Sequence, residues 1–118
     1  TTSSAASDVY KRQGINSNDD TKYPEDSFEK MKERSRDNNF NFIYVRDLYQ
    51  EVAKIYNASH TPQFFLFNKD KTLIYKGKFD DNWEDENKVK NCYLEDAIKN
   101  PRYTPRDTFP VGCSIKWL

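Results

Sequence analysis

A chain of 118 residues with 36% hydrophobic and 15% aromatic side chains has room for one modest core built largely on Phe and Tyr. Its 19 basic and 19 acidic residues cancel, which leaves no electrostatic footprint for nucleic acid or an anionic membrane. No run approaches the length of a transmembrane helix, and the two cysteines, Cys92 and Cys113, are too few for a secreted disulfide scaffold.

Residues 1–13, TTSSAASDVYKRQ, are small and polar with no periodicity and then basic at Lys11-Arg12. They read as a disordered tail, and the string SSAASDVYKRQ also resembles translated sequencing-adaptor sequence. The fold-bearing part is therefore expected to be residues 14–118. Met31 is the only methionine, so the chain is expected to lack the start of its gene, and a targeting signal stays open.

Gly14-Ile-Asn-Ser-Asn-Asp19 reads as the tail of a strand running into a polar loop. Asp26 and Glu29 offer a capping box for a helix whose buried stripe is Phe28 and Met31, ending at Asn38-Asn39. Phe40 to Val45, rich in aromatic and β-branched residues, reads as a strand. Asp47 and Gln50 form a second capping box, and Leu48, Val52, Ile55 and Tyr56 repeat at helical spacing toward Asn57.

The stretch Ala58-Ser-His-Thr-Pro-Gln-Phe-Phe-Leu-Phe67 organises the remainder. Four consecutive apolar residues, Phe64 to Phe67, suit a strand covered on both faces. Proline cannot donate to a ladder, so Pro62 at the head of such a strand makes sense if the Thr61–Pro62 bond is cis. Asn68 to Lys71 is a polar turn, and Thr72 to Phe79 returns as the partner strand. Asp80 to Lys90 is a charged loop around Trp83, without the spacing or glycine of a calcium loop. Asn91 can cap a short helix carrying Leu94, Ala97 and Ile98, which Asn100-Pro101 stops. The proline-rich remainder is an extended tail ending Gly112-Cys-Ser-Ile-Lys-Trp-Leu118.

Four blocks, INSNDDTKYPEDSFEKM (15–31), the Thr61-Pro62 pair leading into its strand, YKGKFDDNW (75–83) and GCSIKW (112–117), occur in an order that resembles a peroxiredoxin-like, thioredoxin-fold family. That family is related to the alkyl hydroperoxide reductase and thiol-specific antioxidant group. The resemblance runs from Gly14 onward and implies an α/β, thioredoxin-like fold: a mixed sheet with helices on both faces. Here it would be incomplete, with the first strands and the helix bearing the nucleophilic cysteine missing. The strand preceding that helix would lie beside Phe64–Phe67, so an open apolar edge and dimerisation through it are expected. The implied activity is thiol peroxidase or disulfide exchange on a peroxide or protein disulfide, with a thiol reductant, no cofactor and a cytoplasmic setting. The fragment alone would be inactive. The alternative is a non-catalytic thioredoxin-like protein-binding module using the cis-proline surface.

Thiol redox chemistry needs a stabilised thiolate and a partner thiol. Cys113 is the candidate resolving thiol: Gly112 allows close backbone approach, and the tail can fold back toward the Pro62 loop. The bland alternative is a small hydrophobe anchoring that tail. His60, the only histidine, is a weaker catalytic candidate that could tune a thiolate, against a simple capping role. The members of the family often have a cysteine where His60 stands. Thr61 and Pro62 are the candidate substrate-binding pair, because the Thr61 backbone could pair with a bound peptide. Cys92 opens a helix whose dipole would favour its thiolate, but it matches no family block and reads as incidental. A disulfide between Cys92 and Cys113 is not expected, and no metal-ligand set is discernible.

Overall fold

The structure, a computed structural model, describes residues 12–82, 84–103 and 105–118. Most of the expected N-terminal tail (1–11) and Trp83 of the charged loop lie outside the described residues. The chain is α/β, with small sheets and three α-helices among the described residues. It divides into two units. One runs up to Ala58 and takes in Ile115–Leu118, and the other is Ser59–Ser114. A single mixed sheet is the expectation; strand pairing among the described residues instead forms three two-stranded ladders, one parallel and two antiparallel.

In the first unit, strand β1 (Gln13–Asn16) pairs in parallel with β2 (Ile43–Arg46), Ile15 opposite Val45. β1 opens at Gln13, one residue before the expected boundary, and Arg12 just ahead of it donates to Asn41 Oδ1 at 2.6 Å. Only the last part of the expected 40–45 strand pairs. Phe40 and Phe42, ahead of it, gather with Tyr44 of the strand, Phe40 and Phe42 stacked at 4.7 Å and the Arg12 guanidinium 4.7 Å over Phe42.

Helix α1 (Phe28–Asp37) is capped one residue later than expected: the Ser27 hydroxyl, not Asp26, accepts from Lys30 N–H. Asp26 is drawn into a 3-10 turn behind Pro24, where its carbonyl accepts from Asn16 Nδ2. Met31 is buried as expected, but Phe28 is exposed, its ring covered by the Lys32 ammonium rather than by the core.

Helix α2 (Glu51–Ile55) also departs from the simple capping box. Gln50 adopts a left-handed backbone at φ 61°, and the Asp47 carboxylate accepts from the N–H groups of Val52 and Ala53 and from Ser17 Oγ. The Gln50 side chain is 1% exposed and fully used. It donates to the carbonyls of Ser17 and Lys116, and its oxygen accepts from Leu118 N–H. Asn18 and Asp19 hold Lys116 from the other side, so Ile115 is buried with Met31 and Ala53. The periodic face read from the sequence is not the buried one. Leu48, Ile55 and Tyr56 are exposed, and Ala53 alone of α2 is buried.

In the second unit, β4 (Phe64–Phe67) and β5 (Leu73–Gly77) form the expected hairpin, Phe64 opposite Gly77 and Leu66 opposite Tyr75. The Asn68 side chain accepts from the Asp70 and Thr72 N–H groups and closes the turn. Along β5, Lys76 exchanges backbone hydrogen bonds with Arg106 and Thr108. Gly77, at φ 139°, lies so close to this run that a Cβ would fall among the Thr108 backbone and hydroxyl atoms. Tyr75 has no exposed surface, and its hydroxyl bonds to Lys78 O and Thr108 Oγ1. Helix α3 (Tyr93–Lys99) buries Ala97 and is stopped at Asn100-Pro101 as expected. Its cap residue is Cys92 rather than Asn91, because the Asp81 carboxylate takes the Asn91 backbone and side-chain N–H groups.

Candidate functional site around the Pro62 loop

The Thr61–Pro62 peptide bond is cis, as the strand-leading proline predicts. Just before it, β3 (His60–Thr61) pairs antiparallel with β6 (Cys113–Ser114), Thr61 opposite Cys113 and His60 opposite Ser114. The tail thus returns to the Pro62 loop. Gly112 permits this return: at φ 147°, a Cβ would collide with the Thr61 carbonyl oxygen and lie 3.4 Å from Pro62 Cδ.

Pairing fixes which candidates share a face. Directly opposed residues of an antiparallel pair project to the same side, and neighbours along a strand to opposite sides. Cys113 therefore shares a face with Thr61, while His60 shares the other with Ser114. The structure brings together Cys113, Thr61 and Pro62 and directs His60 away from the thiol. Instead, the His60 ring hydrogen-bonds through Nδ1 to Ser59 Oγ at 2.7 Å and stands edge-on to Phe109. One edge of Thr61, expected to be open to a bound peptide, is occupied by the chain's own Cys113.

Both cysteines are free, Cys113 exposed and Cys92 half-buried. At Cys92 the shift runs against a dipole-favoured thiolate and with the reading of an incidental thiol. Burial pushes the thiol pKa above its ordinary value, and the carboxylates of Glu95, Asp96, Asp80 and Asp81 push the same way.

Two residues of the loop carried no signal of their own in the sequence. Gln63 Oε1 accepts from the backbone of Ser59 and His60, and so shapes the turn into β3. Val111 joins Pro62, Lys78, Phe79 and Asp80 around a cavity of about 40 Å³, room for little more than one water. Among the described residues no three His, Cys, Asp or Glu side chains stand together as a metal site. No described helix is long and apolar enough to cross a membrane.

No family model and no curated protein matches the chain. Two solved structures resemble it across 99% of its length. One is a hypothetical protein from Sinorhizobium meliloti 1021, 29% identical with a TM-score of 0.82, of which the chain covers 67%. The other is an uncharacterized conserved protein from Geobacillus kaustophilus, 35% identical with a TM-score of 0.84, of which it covers 65%. The chain thus spans about two thirds of the length of either neighbour.

Proposed function

We propose that the chain is the C-terminal portion of a peroxiredoxin-like oxidoreductase of thioredoxin-like fold, working on a peroxide or a protein disulfide, with Cys113 as its resolving thiol. The observation that carries this reading is the register of Thr61 against Cys113, which seats an exposed thiol beside the Pro62 loop. In that chemistry a nucleophilic thiolate outside these 118 residues takes oxygen from the peroxide, releasing an alcohol or water, and is left as a sulfenic acid. The Cys113 thiolate attacks the sulfenic sulfur, an S–S bond forms and hydroxide leaves. A thiol reductant of the same compartment, the cytoplasm in this reading, returns the pair to thiols by exchange. Thr61 and Pro62 line the approach of the second sulfur, and no cofactor enters.

The test is mixed-disulfide formation with glutathione disulfide, followed site by site by mass mapping. A thiol built for exchange reacts at Cys113 about tenfold faster than the same residues in a free peptide, GCSIKW, a rate set by thiolate fraction and access. Gly112→Ala, which forces the tail off Thr61, removes the advantage. A Cys113 no faster than the peptide is an incidental exposed thiol, and a non-catalytic module then takes the place of the enzyme.

A further inference from the structure

In the first unit, an apolar groove of about 460 Å³ runs between one face of the β1–β2 ladder and α2. Ile15 and Val45 floor it, Leu48, Val52 and Ile55 flank it, and Arg46 stands at its wall. Ile55 is 76% exposed, and Ile43, next to Val45 on the same strand face, is 65% exposed. Parallel sheets occur almost only with both faces covered, and an isolated two-stranded ladder is marginal in water. Leu48, ahead of α2, and Val52 and Ile55 on it turn apolar side chains toward the same groove.

We infer that this groove is the seat of a further apolar segment of the same polypeptide, the counterpart of the third that both solved neighbours carry beyond the match. Those neighbours match 99% of this chain, so their remaining third has no counterpart within it. The groove is open and broad, and β-branched side chains line it. A small ligand is a poorer fit, because the carboxylate of Asp47 is already engaged by backbone N–H groups and few polar groups converge to orient one. The inference needs no thiol chemistry and stands apart from the redox reading.

The experiment is maleimide labelling of Ile55→Cys, mapped by mass. It is done in the 118-residue chain and in a chimera that adds the unmatched third of the Geobacillus kaustophilus protein in that protein's own order. The expected result is rapid labelling in the chain alone and at least tenfold protection in the chimera at all protein concentrations. A control thiol from Lys71→Cys in the hairpin turn labels equally in both. Equal labelling at position 55 overturns the inference. Protection that grows with the concentration of the 118-residue chain alone also overturns it, in favour of a second copy. Should the chimera not fold, the same measurement is made in the Geobacillus kaustophilus protein at the position aligned with Ile55, where fast labelling is equally fatal.

Discussion

In the unit from Ser59 to Ser114, β5 is sealed by its own chain. Residues 106–108 run along it, Tyr75 is completely covered, and Gly77 is pressed against Thr108. In the other unit β2 and α2 present Ile43 and Ile55 to water. The two regions have similar apolar content, so hydrophobic character by itself does not decide burial. What differs is whether the local chain supplies a covering layer. Apolar area stabilises only when it leaves water, at about 25 cal/mol per Å², so equal side chains should carry unequal stability in the two units.

The largest effect should come from the sealed region. Tyr75→Ala empties a fully buried site and removes the hydroxyl that bonds Lys78 O and Thr108 Oγ1, so it should cost about 3–5 kcal/mol in denaturant unfolding. A loss below about 1 kcal/mol would mean that residues 106–108 do not close this face.

A smaller effect belongs to the cap of α2. Burial raises the Asp47 carboxyl pKa, but the hydrogen bonds from Ala53 N–H, Ser17 Oγ and Val52 N–H together hold it below the usual carboxylate range. A depressed folded pKa contributes stability above the unfolded value of about 3.9, and that contribution is lost as pH falls through the folded value. Asp47→Asn should therefore cost about 1 kcal/mol near neutrality and converge on the parent at low pH. A pH-independent gap between the two unfolding curves would assign the loss to packing instead of charge.

The smallest effect sharpens the comparison most. Ile55→Ala should change the stability of the 118-residue chain by less than about 0.5 kcal/mol, as at other exposed positions. A cost near 2 kcal/mol would show that the α2 face is already covered in this chain.

The same contrast explains what the sequence disclosed. The Pro62 loop, the hairpin, the Pro101 stop and the return of the tail beside Thr61 were legible, because proline, polar turns and Gly112 act through backbone geometry. The helix starts were shifted because several residues could cap: Ser27 displaced Asp26, and Asp81 withdrew Asn91. The face of α2 was misjudged for a deeper reason. Periodicity reports which residues suit a contact, not whether that contact lies within the same 118 residues. At Cys92 the helix terminus was visible in sequence, but the acidic neighbours at Asp80 and Asp81 are brought near only by the fold.

The central claim is that the tail seats Cys113 directly against Thr61, and introducing a second thiol there tests it most directly. Opposed residues of an antiparallel pair have Cα atoms about 4.5–5.5 Å apart, within disulfide reach. Under mild oxidation Thr61→Cys should form an intramolecular bond with Cys113, leaving Cys92 as the one free thiol of the monomer. Three free thiols after oxidation, or a bond that forms instead with Cys92, would contradict the register on which the candidate site rests.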